Sequence, residues 1–307
     1  MRLLLIVNTS ASSVTARGRV VIQKALAADH EVTMVETSRR GHATRLAQGA
    51  AASGHDVVVV LGGDGTLNEA ANGLAGTETA LGVLPGGSTN VFARTIGLTN
   101  DPIEATGEIL AALARPGAIR PIGMGSVNGR YFLFHVGVGF DAAVVEQVER
   151  RSGLKRWAGH PLFVYAGFAT WLRHYDRSRP GFTVEFKDGE TIPDGYLAIC
   201  QNTNPYTFLG NRPLNLNPAA GLERSLTLAT FRRLDPVTLL GVIASAAGYG
   251  PPLRRFRRLD RRDDLDGFTL RANWALPYQV DGDHLGTAEE FVFRYEPGVL
   301  GLVMPSA

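Results

Sequence analysis

The stretch VVVVLGGDGTLNEAANGL, residues 57–74, constrains the fold more than any other. Four valines and a leucine run without a polar break into Gly62, Gly63, Asp64 and Gly65, and a helical run opens at Thr66. A strand that is apolar on both faces has to be covered on both faces, which is the condition of an interior strand in a parallel sheet. The same rhythm surrounds it. Residues 2–8, 31–37, 56–62 and 79–85 read as strands, and 16–30, 42–54, 66–76, 90–98 and 102–117 as helices. Strands alternating with helices predict an open α/β domain over residues 1–122.

Past residue 122 the pattern changes. Segments 130–140, 182–190, 195–203, 222–231, 266–274, 277–283 and 290–297 read as strands punctuated by NG, DG and PG turns, with helices at about 142–152 and 156–176. This predicts a β-rich, mostly antiparallel second domain over 123–285. At 307 residues there is room for two cores. A net charge of +2 gives no general reason to expect nucleic acid. The single cysteine, Cys200, excludes an internal disulfide framework and fits a reducing compartment. The longest weakly polar run, 237–250, is shorter than the ~20 residues a membrane span needs, so the expected location is cytoplasmic, with peripheral membrane association as an addition.

In an open parallel sheet, ligands bind beyond the carboxyl ends of the strands, where Gly62–Gly65 lie. Glycines can take positive φ and let a ligand approach, and their N–H groups beside a helix N-terminus can hold an anion. Asp64 fits a phosphate cradle if it binds a sugar hydroxyl or a metal, and it fits a tight turn equally well as a helix cap. A second loop repeats the device. In GVLPGGSTNVFAR the strand is left through Gly86 and Gly87, Ser88 and Thr89 offer hydroxyls, and Asn90 caps or contacts ligand. Two neighbouring glycine exits make one wide anion site.

GGDGTLNE, followed about twenty residues on by LGVLPGGSTNVFAR, resembles the diacylglycerol kinase catalytic domain family, which includes bacterial lipid kinases and sphingosine kinases and is distantly related to NAD kinases. IVNTSAS, ETSRRGHATRLA, GRYFLFHVGVGFDAAVV and QVDGDHLG resemble further family motifs in the same order. The resemblance implies a nucleotide domain, a lipid-binding domain, and a chain end (286–307) that returns to the first. It implies transfer of the γ-phosphoryl group of ATP, with Mg²⁺, to the hydroxyl of a diacylglycerol-like lipid at a membrane surface, a step in phospholipid biosynthesis. Carried over by position, Asn8, Thr37, Gly62, Gly63, Asp64, Gly65, Thr66, Leu67, Asn68, Gly87, Ser88 and Asn90 form the nucleotide site. Asp283 would be the general base, with Asp64 as the second catalytic carboxylate. Asn202, Asn204 and Tyr206 would contact the acceptor. A homodimer is left open.

Several positions depart from the family pattern. Val91 and Gly123 stand where acids are usual, Asp283 replaces Glu, and GLERSL leaves only Glu223 as an acid near the usual metal loop. Two rival functions follow: an NAD kinase-like phosphotransferase on a soluble hydroxyl, or a nucleotide- or lipid-binding protein without turnover. GVGFDA (137–142) mimics a dinucleotide fingerprint, but no βαβ unit follows it. No P-loop lysine, nucleophile elbow or His-x-x-x-His pair occurs. His135 reads as a core residue. The six arginines between 254 and 262 read as a solvated edge neutralised by nearby aspartates, or as a contact for anionic headgroups. Trp157, Phe163, Tyr165, Phe168 and Trp171 either pack on a sheet or line an acyl pocket.

Overall fold

The structure is a computed structural model that describes residues 1–140, 142–143 and 179–305. The chain divides into two compact units: residues 1–124 with 297–307, and 125–296. The last strand thus passes into the first unit at Pro297, eleven residues beyond the expected return at 286. Apart from Ala142 and Ala143, which are helical, the helices expected at 142–152 and 156–176, with their aromatic residues, lie outside the described residues.

The first unit is an α/β domain. Its elements are β1 (Arg2–Val7), α1 (Ala16–Leu26), β2 (Glu31–Glu36), α2 (His42–Ala52), β3 (Val57–Gly62), α3 (Asp64–Leu74), β4 (Ala80–Pro85), α4 (Val91–Thr95) and α5 (Pro102–Leu113). The strands are parallel in the order β2-β1-β3-β4, with Leu3 opposite both Val32 and Val57, and Val57 opposite Ala80. Near the chain end, Leu302 pairs in parallel with Leu81 beside β4. Every residue of β3 and β4 is buried, whereas β2, at the edge, alternates. That difference is the continuous apolar run of an interior strand set against the half-wet pattern of an edge strand.

Three helices, α1, α5 and α6 (Pro236–Ala246), begin conventionally. Thr15, Asp101 and Asp235 accept N–H groups of their own first turns, and Pro follows Asp101 and Asp235. Helices α2 and α4 do not. Their cap positions, Gly41 (φ 78°) and Asn90 (φ 49°), are left-handed and supply no side-chain cap. Both are capped from α3, as described below.

The second unit is β-rich and mostly antiparallel. It contains β6 (Arg130–Phe132), β7 (His135–Gly139), β8 (Phe182–Phe186), β9 (Thr191–Gly195), β10 (Leu197–Gln201), β11 (Thr207–Leu209), β12 (Arg212–Leu214), β13 (Leu226–Phe231), α6, a 3-10 turn (Leu253–Arg255), β14 (Leu259–Leu265) and β15 (Gly267–Val280). Strands β5 (Ile119–Val127) and β16 (Asp283–Val303) belong partly to each unit. The order β14-β13-β10-β7-β15-β16 is antiparallel throughout, and β8 joins β15. Two hairpins turn through paired positive φ angles, Asn128–Gly129 between β5 and β6, and Asp281–Gly282 between β15 and β16. Both pairs suit the type I′ turn that matches strand twist.

Several elements differ from the sequence expectation. The segments 266–274 and 277–283, expected as two strands, fall mainly in the single strand β15 (Gly267–Val280), whose register shift between Arg271 and Leu276 accounts for the broken pattern. Strand β9 and helix α6 were not foreseen. α6 has no charged residue and hence no polar face to reveal a 3.6-residue period. Among the described residues, no helix is long and apolar enough to cross a membrane.

Helices α2 and α3 meet at Gly73, where a Cβ would stand 2.4 Å from the Thr44 carbonyl oxygen and 2.9 Å from the Ala47 Cβ. Gly49, also within α2, has nothing within 4 Å of that position. In denaturant titration, Gly73→Ala should lower the unfolding free energy by about 1–3 kcal/mol through overpacking. Gly49→Ala should raise it by up to ~1 kcal/mol through helix propensity alone.

Candidate active site

Strands β3 and β4 end side by side, and their exits touch backbone to backbone. The Gly86 N–H donates to the Gly62 carbonyl at 2.8 Å. A Cβ on Gly86 would stand 2.8 Å from the Gly62 nitrogen, and one on Gly87 would stand 2.9 Å from the Gly63 Cα. None of Gly62, Gly63, Gly65, Gly86 and Gly87 has a positive φ, and at Gly86 and Gly87 the requirement for glycine is close approach between the loops and not a left-handed turn. The gap among Gly62, Asp64, Pro85 and Asn90 is only about 10 Å³, on the scale of a single water. A ligand the size of a nucleotide would have to lie over the loops.

Asp64, the first residue of α3, explains how the loops are fixed. Its Oδ2 accepts the Val91 N–H at 3.0 Å and its Oδ1 the Phe92 N–H at 3.2 Å, so it caps α4 across the gap. Asn90 completes the turn. Its Oδ1 accepts the Gly87 N–H (2.8 Å), and its Nδ2 donates to the Gly87 carbonyl (2.9 Å) and to Asn100 Oδ1 (2.7 Å). Five residues into the same helix, Glu69 caps α2, accepting from the N–H groups of Gly41 (2.7 Å) and Ala43 (3.1 Å). Glu69 lay inside the quoted motif without a role; a buried acid at 8 % exposure was the signal that only the structure supplies.

The start of α3 itself has no side-chain cap, because its cap residue is Gly63. Around this opening stand Asn8, whose Nδ2 donates to Thr66 Oγ1 at 2.8 Å, and Thr37, half-buried at the end of β2 with its N–H on the Val7 carbonyl. Ser88 is exposed at the tip of the second loop. Leu67 and Asn68 point inward, at 3 % and 2 % exposure. Val91, where the family has an acid, is buried, and it is its N–H that Asp64 engages.

In the second unit, Asp281 is the organising acid of the VDGD stretch. Buried at 3 % exposure, it accepts three consecutive N–H groups, those of Leu133 (2.7 Å), Phe134 (3.0 Å) and His135 (3.0 Å). That grip falls where 130–140, expected as one strand, breaks into β6 and β7. Asp283 follows the Asp281–Gly282 turn, half-buried, opposite Val280. Asn202 is fully buried, with its N–H on the Phe134 carbonyl and its Nδ2 3.2 Å from the Leu133 carbonyl. Asn204 donates to Asn215 Oδ1 at 2.8 Å, and the Tyr206 ring lies 4.4 Å from that of His135. The acceptor candidates Asn202 and Tyr206 thus gather around Phe134–His135. Glu223 is exposed on the turn before β13 and is not part of this group.

The residues do not make a protein-built cage for Mg²⁺. Among the described residues no three His, Cys, Asp or Glu side chains cluster, and both oxygens of Asp64 already face N–H donors.

Comparison with known proteins gives this geometry a family. A profile described as the diacylglycerol kinase catalytic domain matches residues 2–128. A Pseudomonas aeruginosa protein named "Probable lipid kinase YegS-like" is 34 % identical over 307 residues, covering 99 % of this chain and 94 % of that one. The chain belongs to the diacylglycerol kinase catalytic domain family. A Bacillus subtilis protein named "Diacylglycerol kinase" is 40 % identical over 121 residues, and the match spans 39 % of each chain. A crystal structure of a diacylglycerol kinase from Bacillus anthracis has a TM-score of 0.70 at 20 % identity, covering 99 % of this chain and 96 % of that one, a likeness of fold alone. The paired glycine loops lie within residues 2–128, the part of the chain that the family profile matches.

Burial pushes the His135 imidazole down from its ordinary 6.5 to about 3. Below pH 6.5 the unfolded chain takes up a proton that the folded chain refuses. The stability conferred by the neutral ring is therefore complete above that pH and is lost as the pH falls toward 3, by about 1.4 kcal/mol per unit. Between pH 7 and pH 5 the unfolding free energy of the wild type should fall by about 2 kcal/mol more than that of His135→Gln. Parallel curves would show that the ring titrates normally.

Proposed function

We propose that the chain is an ATP-dependent lipid kinase that transfers the γ-phosphoryl group of ATP to the hydroxyl of a diacylglycerol-like lipid. The observation that carries this reading is the uncapped N-terminus of α3, set between two glycine loops whose spacing is fixed by the Asp64 carboxylate. Phosphoryl transfer needs positioning and charge stabilisation more than covalent help from the protein. A helix N-terminus with fixed backbone donors supplies both to a polyphosphate.

In this reading the backbone of Gly62–Thr66 and Gly87, with the Ser88 hydroxyl, receives the phosphates, and Thr37 borders the nucleotide. Asn8, Leu67, Asn68 and Asn90 are positioning residues behind that surface. Asp64 is one too, because its oxygens are engaged in the loop brace. Asp283 is the base. The acceptor oxygen attacks the γ-phosphorus, the bond from that phosphorus to the β,γ-bridging oxygen breaks, ADP leaves, and the hydroxyl proton passes to the Asp283 carboxylate. The turn held by buried Asp281 gives Asp283 a rigid mount. Asn202, Asn204 and Tyr206 are assigned to the acceptor.

One observation favours a second reading. An Asp64 occupied by N–H groups is also what a nucleotide-binding chain without turnover would need. Incubation with radiolabelled ATP and total lipid extract separates the two. The kinase reading expects a labelled lipid phosphate; ATP binding with no labelled product from any lipid class or from NAD supports a binding protein. Asp283→Asn should lower kcat by about 10²–10⁴-fold with KM for ATP unchanged. Asp64→Asn should raise KM for ATP and lower the melting temperature together. A wild-type rate in Asp283→Asn removes the base assignment.

A further inference from the structure

Helix α6 is turned partly inside out. Val242 and Ala246 pack into the core with Leu253 and Leu259, while Val237, Leu240 and Ile243, at steps of three along the other side, are 81 %, 65 % and 41 % exposed. Tyr249, just past the helix, is 73 % exposed. The helix carries no charge at any of its eleven positions. An exposed apolar stripe without polar relief marks a contact surface.

Charge tells what it contacts. Beside the C-terminal end of α6 opens a groove of about 820 Å³ lined by Arg212, Arg254 and Arg261, and among the described residues no acid lines it. Arg212 stacks 4.2 Å over the exposed Tyr249 ring and donates to the Ala247 carbonyl, joining the groove to the apolar stripe. Five other arginines of this unit have carboxylate partners, Arg224 with Asp264, Arg232 with Asp194, Arg258 with Asp235, Arg262 with Glu190 and Asp260, and Arg271 with Glu185 and Glu290, while among the described residues Arg233 and Arg294, which do not line the groove, have none. Among the described residues Arg212, Arg254, Arg255, Arg257 and Arg261 have none. Of the aspartates that the sequence offered as neutralisers, Asp260 engages Arg262 at the end of the run, whereas Asp264 lies on Arg224 outside it.

We infer that the exposed face of α6 and the arginine groove beside it form a docking surface for a bilayer containing anionic phospholipid. Val237, Leu240, Ile243 and Tyr249 enter the boundary between headgroups and acyl chains, and the unpaired arginines meet phosphate headgroups. This is the arrangement of an interfacial helix that lies on a membrane without spanning it. The inference draws its purpose from the lipid-acceptor reading, but its test requires no catalysis.

The full chain, without ATP, is sedimented with vesicles of phosphatidylcholine alone and with vesicles of phosphatidylcholine mixed with phosphatidylglycerol. The expected result is binding to the mixed vesicles that weakens with added salt, and little binding to phosphatidylcholine. Leu240→Glu with Ile243→Glu should reduce that binding about tenfold or more, and Arg254→Glu with Arg261→Glu should remove the preference for phosphatidylglycerol. Should the first pair fail to fold, Val237→Ser with Tyr249→Ser, at more exposed positions, reads the same loss. Unchanged vesicle binding in these variants overturns the inference, as does wild-type binding without lipid preference. So does a dimer in light scattering that the α6 variants dissociate, because a second copy would then cover the face. Asp283→Asn should still bind the vesicles. If wild type and Asp283→Asn dock while the wild type labels no lipid, the docking surface stands and the kinase reading falls.

Discussion

The carboxylate of Asp64 accepts the first two N–H groups of α4 from across the gap between two strand exits, and the first unit's candidate site is arranged around that contact. A charged acceptor with two backbone donors is among the stronger hydrogen-bonding arrangements, worth about 1.5–3 kcal/mol per bond. It also places a negative charge at the positive end of the α4 dipole. The geometry requires the loops to touch, and only glycine at positions 86 and 87 lets them. The cap residue of α3 is Gly63, so the start of that helix is left without a side-chain acceptor. The Asp64 contact thus locks the two loops, and Gly63 leaves the backbone N–H groups at the start of α3 without a side-chain cap.

The same economy recurs. Glu69 caps α2 from within α3, so one helix aligns the N-termini of two neighbours by two carboxylates. In the second unit, Asp281 gathers the N–H groups of Leu133, Phe134 and His135 and fixes the turn that carries Asp283. In each case a buried or half-buried acid would be costly alone and is stable because backbone donors surround it. The residues that look most like chemistry in the sequence, Asp64 and the DGD turn, are therefore first of all supports. In the proposed reading the groups that meet the phosphates are backbone N–H and the exposed Ser88 hydroxyl.

Much of this was legible in the residues, and what was not has physical causes. Unbroken apolar runs located β3 and β4, and the NG and DG pairs marked both type I′ hairpins, because those signals are local. The capping partners of Asp64 and Glu69 lie 27 and 26 residues away, and no spacing rule reaches that far. The glycines were expected to take positive φ; they provide contact between backbones, a property visible only once both loops are placed. Helix α6 was hidden because burial on one side and exposed apolar residues on the other erase the amphipathic period. The arginine run looked neutralised because aspartates are near in sequence, yet Asp264 pairs with Arg224, outside the run, and Asp260 engages Arg262 alone within it.

The central claim is that the Gly62–Asn68 and Gly86–Asn90 loops jointly receive a polyphosphate at the open start of α3. Amide hydrogen exchange of the full chain, with and without a non-hydrolysable ATP analogue, tests it most directly. Slower exchange confined to the segments covering residues 62–68 and 86–92 is the predicted result. Binding of the analogue with those segments unchanged, and protection elsewhere, would contradict it.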